Sequence, residues 1–117
     1  MKNVSFIKLE KSMNRVEKNM INKDLQAKLE IIAKHYGYSE QCQQTNEEMA
    51  ELTVALSKYR RYGKLQRDTR LANIVTEIAD VTIMLKQLAY LLECDKEVEK
   101  EIEYKINRAL RRISKEK

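Results

Sequence analysis

The chain has no proline or tryptophan, one phenylalanine and two glycines in 117 residues. Sandwiches, barrels and hairpins turn on such residues, so those architectures are excluded. Cysteine is equally sparse. Cys42 and Cys94 lie far apart and match no metal-binding or redox spacing, so free thiols in a reduced setting are expected. Residues 1–10 mix Lys2, Lys8 and Glu10 with Val4, Phe6 and Ile7 and contain no secretory apolar block. The longest apolar stretch, residues 78–92, is interrupted by Asp80 and Lys86 and is shorter than the roughly 20 residues a membrane span needs. A cytoplasmic protein without membrane attachment is the expectation.

What is present is helix-forming: 43% hydrophobic and 35% charged residues, with a formal charge of +5. One domain of 1–117 is expected, all-α, as a bundle of four principal helices with an extra N-terminal helix. The extra helix occupies residues 1–21, where Phe6, Leu9, Met13, Val16 and Met20 recur at spacings of 3, 4, 3 and 4 and form one stripe. A second helix begins near Asn22 and carries Leu25, Leu29 and Ile32 to a left-handed cap at Gly37. Ser39 caps a third that runs from residue 40 to 62 and stops at Gly63, before a polar loop at 64–69. Asp68 or Thr69 caps a fourth to about Leu92, and Asp95 a fifth.

The carboxylates set the functional question. On the third helix Met49, Leu52, Leu56 and Tyr59 form the expected apolar stripe, with Glu48 and Glu51 along its border and Glu47 pointing nearly the other way. The fourth helix repeats the spacing at Glu77 and Asp80, and its apolar residues from Ile78 to Leu92 cover nearly every side, as in a buried helix. An ionised Asp80 there needs a base, a proton or a metal, because an unpartnered buried carboxylate costs several kcal/mol. Internal ion pairs are the plain alternative. Yet no Lys or Arg occurs between Gln41 and Ser57 or between Ala72 and Leu85. A divalent cation resolves the imbalance, and oxygen-only ligands favour Mg²⁺ or Mn²⁺. A di-iron bundle needs Glu-x-x-His pairs, and the single histidine, His35, is in none.

With these residues in place, the chain resembles the MazG-like, all-α nucleoside triphosphate pyrophosphatases over residues 25–113. Their Glu-Glu-x-x-Glu and Glu-x-x-Asp motifs stand here as Glu47-Glu48-Met49-Ala50-Glu51 and Glu77-Ile78-Ala79-Asp80, and Lys105-x-x-Arg108 is similar to their basic C-terminal motif. Tyr36-Gly37 and Gln41 before the first motif also agree. The resemblance implies Mg²⁺-dependent hydrolysis of a nucleoside or deoxynucleoside triphosphate between the α and β phosphates, giving the monophosphate and pyrophosphate. It puts the metal on Glu48, Glu51, Glu77 and Asp80. Glu51 is the candidate to take a proton from water. Glu47 orients a water, serves a second ion or is a solvated acid.

Basic groups must meet the leaving pyrophosphate. The candidates are Lys105 and Arg108 from the resemblance and Lys58, Arg61, Lys64, Arg67 and Arg70 around the loop. Gln41 is a candidate to hydrogen-bond the substrate or else continues a polar face. His35 and Tyr36 either stack on a base or pack before Gly37. Met84 stands one turn after Asp80, where certain deoxycytidine-type members have an aromatic, so no base preference carries over.

A different class is a non-enzymatic basic helical module binding nucleic acid or a protein partner, motivated by a pI near 9.2 and the basic stretches 58–70 and 105–117. That reading leaves Asp80 unexplained and has no recognition motif, so no specific nucleic acid is expected. A purely structural bundle is the third reading. The apolar fourth helix and the N-terminal stripe exceed what one small bundle buries, so a homodimer or a dimer of dimers is expected, with the site near the interface.

Overall fold

The computed structural model describes residues 22–116, which are helical throughout apart from short connections. Helix α1 is Lys23–Tyr62, α2 is Arg67–Leu91 and α3 is Asp95–Lys115. The all-α class is therefore as expected, but there are three helices and not four principal ones. The N-terminal stripe of residues 3–20 lies outside the described residues.

Asn22 starts α1 by accepting the Leu25 amide at 2.9 Å, which satisfies one of the free donors of the first turn. The expected break at Gly37 is there: Gly37 takes φ 85° and ψ 170°, outside helical values, and α1 consists of two helical stretches that meet at this kink. Only glycine occupies that region without strain. The chain swings out through that one residue, and the second helical stretch of α1 starts beyond it.

At the far end of α1, Gln66 takes the left-handed conformation (φ 55°, ψ 41°) and turns the chain into α2, with no side-chain cap. Asp68, expected as a cap, sits in the first turn of α2, where its charge meets the positive end of the helix dipole. The α2–α3 turn uses Glu93 at φ 54°. Glu93 and Cys94 donate back to Tyr90 and Ala89 at 3.0 and 2.9 Å, closing off carbonyls that α2 would leave free. Cys94, not Asp95, is the residue flanking α3.

α1 and α2 form an antiparallel pair, and α3 packs on α2 alone. The radius of gyration is 17.7 Å, whereas a compact domain of about 100 residues has about 13 Å. The expected bundle is thus open among the described residues. Leu29, Ala33, Ile74, Val81 and Met84 are the buried apolar residues. Ile78, Ile83, Leu85 and Leu92 are exposed, so α2 is not buried all round; it has α1 on one side only.

The seam between α1 and α2 is also more polar than expected. Met49 is 48% and Leu56 is 49% exposed, while Gln41 and Thr45 are buried and Glu48, Leu52 and Ala55 half-buried. The helix is rotated relative to the expected apolar stripe, so that the acidic border faces α2. Gln41 donates its amide to Gln87, itself only 2% exposed, and Thr45 donates to the Gln41 carbonyl at 2.6 Å. Mutual hydrogen bonding is what lets these polar groups stay out of water. Both cysteines are free thiols. No helix among the described residues is long and apolar enough to cross a membrane.

Candidate metal centre

The antiparallel register decides which carboxylates meet. Gln41 pairs with Gln87 at one end of the seam, and Tyr59 accepts a hydrogen bond from Arg67 at 3.4 Å at the other. Between them, Glu48 and Glu51 come down the seam as Asp80 and Glu77 go up it. One carboxylate oxygen each from Glu48, Glu51 and Glu77 lies within 4.8 Å of the others. Asp80 is near enough for its charge to act on both Glu48 and Glu77.

The electrostatics of the cluster are unfavourable as they stand. The Gln44 amide donates to Glu48 Oε1 at 2.7 Å and draws that carboxyl's pKa down, but desolvation and the charges of Asp80 and Glu51 outweigh it, so Glu48 sits above the ordinary 4.5. Desolvation and then the charges of Glu51, Asp80 and Glu48 raise Glu77 above 4.5 as well. The second oxygen of Glu48 and that of Glu77 are buried with no hydrogen-bond partner. No base compensates them: the one salt bridge among the described residues, Lys28 to Asp24 at 3.0 Å, lies at the start of α1.

Two inward oxygens without partners, flanked by further carboxylates, are a donor set for a hard divalent cation. The residues fit such an ion. Their geometry leaves one side open, where a cavity of about 370 Å³ is lined by Glu51, Glu77, Val54, Ala55, Lys58 and Asn73. Lys58 shares this cavity with Glu51 and Glu77.

Other expected residues are placed elsewhere. Glu47 is exposed and outside the cluster. Gln41 is 6% exposed and committed to Gln87, so it organises the seam and does not face the cavity. Lys105 is exposed and Arg108 half-buried on α3, which meets α2 on the side of Leu85 and Ala89, away from the carboxylates. His35 stands edge-on to Tyr36 with ring centroids 4.7 Å apart, both exposed near the kink. Arg61, Lys64 and Arg67 line a separate cavity of about 480 Å³ at the α1–α2 turn, with Tyr59 and Tyr62. Arg70 lies over the Tyr62 ring there, 5.2 Å from its centroid.

Three contributors were not anticipated. Gln44 and Asn73 stand four residues before Glu48 and Glu77 respectively, one helical turn away, and that spacing was the available signal. Gln87 becomes a partner for Gln41 only once the register of the two helices is known. The chain matches no protein family, no curated protein and no solved structure with which it was compared.

Proposed function

We propose that the chain is a Mg²⁺-dependent nucleoside triphosphate pyrophosphohydrolase, with Mn²⁺ as an alternative ion, acting in the cytoplasm as a homodimer or a dimer of dimers. The observation that carries this reading is the pair of buried, partnerless oxygens on Glu48 and Glu77, set against Glu51 and Asp80 with no cation in reach of a salt bridge. The two-motif resemblance supplies the substrate class.

Glu48, Glu51, Glu77 and Asp80 would hold the ion, which when bound supplies charge screening for the phosphates and a more acidic water. Glu51 is exposed where Glu48 and Glu77 are half-buried, which supports it as the group that would accept the proton of the attacking water. The new oxygen–phosphorus bond forms as the bridging α–β bond breaks, releasing monophosphate and pyrophosphate. Lys58, on the open side of the same cavity, offsets the charge left on pyrophosphate, and Asn73 offers an amide to a phosphate or sugar oxygen.

The apolar surface left on the α1–α2 pair, where Val54, Leu71, Val75 and Ile78 are all exposed, supports the homodimer reading. Lys105 and Arg108 would then serve the site of the second copy. Incubation with the common ribo- and deoxyribonucleoside triphosphates and Mg²⁺ tests the activity. Release of pyrophosphate and monophosphate that stops in EDTA is expected; no turnover of any of them with Mg²⁺ or Mn²⁺ contradicts it.

The tyrosine- and arginine-lined cavity at the α1–α2 turn favours a second reading, a basic module that binds nucleic acid. That reading predicts a gel shift that persists in EDTA and weakens steeply with salt.

A further inference from the structure

The α1–α2 turn concentrates positive charge that nothing among the described residues neutralises. Residues 58–70 hold Lys58, Arg60, Arg61, Lys64, Arg67 and Arg70 against one acid, Asp68. Asp68 does not line the cavity at the turn, and the one salt bridge among the described residues lies elsewhere, between Lys28 and Asp24. Arg60, Arg61, Lys64 and Arg67, with Tyr59 and Tyr62, line a space of about 480 Å³, which falls within the range of small-ligand sites, about 300–1,000 Å³.

Three of these arginines are held in place, which sets the cluster apart from ordinary surface charge. Arg61 and Arg70 lay their guanidinium groups 5.7 and 5.2 Å from the centroid of the Tyr62 ring, close enough for cation–π attraction. Arg70 also donates its Nε to the Leu65 carbonyl at 3.1 Å, and Arg67 donates its Nε to the Tyr59 hydroxyl at 3.4 Å. The backbone beneath them is fixed as well: the Leu65 amide donates to the Tyr62 carbonyl at 2.8 Å, and a Cβ on Gly63 would collide with the Tyr59 carbonyl oxygen. Both Nε contacts leave the terminal guanidinium nitrogens without a protein partner among the described residues. A guanidinium held by its Nε or its face still offers its terminal N–H groups to a bidentate acceptor, and phosphate matches that fork.

We propose that this turn is a second anion site, separate from the carboxylates, that takes the diphosphate group of inorganic pyrophosphate or of a nucleotide. A diphosphate brings two tetrahedral groups to the four lining cations, whereas a single phosphate leaves most of them unmatched. A strand of nucleic acid is the competing occupant. Strand sites extend over about four or more nucleotides and stack bases on free aromatic rings. Here the space is confined to residues 59–67, and the Tyr62 ring is engaged by two arginines. The turn is also distinct from the seam: Lys58 lines the cavity beside Glu51 and Glu77, while Tyr59, the next residue, lines the turn. Binding there requires neither metal nor hydrolysis, so it stands independently of the reading of the carboxylates.

Calorimetric titration of the full chain with inorganic pyrophosphate, in EDTA and about 0.15 M salt, tests this. Saturable binding is expected, weakened at least about tenfold by Arg67→Gln with Arg70→Gln and also by Arg61→Gln with Lys64→Gln. Arg61 and Lys64 are exposed, so the second pair reports on binding whatever Arg70 contributes to the turn itself. Tyr62→Leu weakens binding several-fold and Tyr62→Phe retains it, because the ring and not the hydroxyl holds the two arginines. Glu48→Gln with Glu77→Gln leaves binding unchanged. Competition by a nucleoside triphosphate in EDTA assigns the source of the diphosphate: tighter binding than pyrophosphate makes the ligand a nucleotide, and weaker binding makes it inorganic. No saturable binding, equal binding by the parent and both arginine variants, or loss of binding in the Glu48→Gln, Glu77→Gln variant overturns the proposal. So does a single-stranded oligonucleotide whose binding is lost in the arginine variants but is not displaced by pyrophosphate.

Discussion

The α1–α2 seam and helix α3 distribute polarity in opposite ways. In the seam, Gln41, Thr45, Gln87, Glu48 and Glu77 face inward while Met49, Leu56 and Ile78 face out. In α3, the apolar residues form one clean stripe and the charges fill the other side, as stability alone would arrange them. Desolvating carboxylates beside one another costs free energy, a cost that a bound cation would offset. α3 tells the reverse story: nothing about its polar face demands a ligand, and its apolar face demands only a cover.

The largest effect expected is chemical and confined to the seam. Glu48→Gln with Glu77→Gln keeps the side-chain shapes and removes both unpartnered charges, so hydrolysis falls by at least about a hundredfold. A pyrophosphate-release assay checks this, and activity within a few-fold of the parent breaks the contrast between seam and α3. Lys58→Ala is expected to raise KM about tenfold with a smaller change in kcat, since it removes one charged contact to phosphate.

Stability changes come next. Gln87→Leu leaves the buried Gln41 amide without its acceptor and costs about 1–3 kcal/mol, most of which Gln41→Leu restores in the double variant. Urea unfolding measures both. Gly37→Ala costs about 1–3 kcal/mol by forcing a side chain into a region of φ and ψ that glycine alone occupies freely. A Cβ there meets nothing within 4 Å, so that penalty is conformational and not steric.

The subtlest effect is on pH dependence. Glu48 and Glu77 have folded-state pKa values above the ordinary 4.5. The folded chain therefore binds those protons more tightly than the unfolded chain. Their stabilising contribution is present below 4.5 and is lost as pH rises through the raised values. In EDTA the Glu48→Gln, Glu77→Gln variant should gain Tm over the parent as pH rises from 4 to 8, and Mg²⁺ should close the gap by stabilising the parent alone, by about 2.7 kcal/mol at a hundredfold excess over Kd. A difference that is flat with pH contradicts the assignment.

Much of this was legible before any coordinates. Glu48 with Glu51 and Glu77 with Asp80 share faces because helical spacing dictates it, and the absence of Lys and Arg from both stretches foretold the missing ion pairs. The helix start near Asn22 and the stop before Gly63 agree with the sequence, and in the structure the Asn22 side chain caps the start. The break at Gly37 is legible because a glycine between two helical patterns marks a residue that takes positive φ. The rotation of α1 was missed for a different reason: apolar periodicity picked Met49 and Leu56 for the inside, whereas the seam is filled by hydrogen-bonded amides that no hydrophobic pattern reveals. Lys105 and Arg108 are grouped with the carboxylates only by resemblance, and α3 carries them to the other side of α2.

Calorimetric titration of the full chain with Mg²⁺ in the absence of nucleotide, run beside Glu48→Gln with Glu77→Gln, is the most direct test of the central claim that the polar seam is a cation site. The account predicts saturable binding by the parent, weaker at low pH as the carboxyls take up protons, and none by the variant. Equal heats from both proteins, or none from either with Mg²⁺ or Mn²⁺, would contradict it.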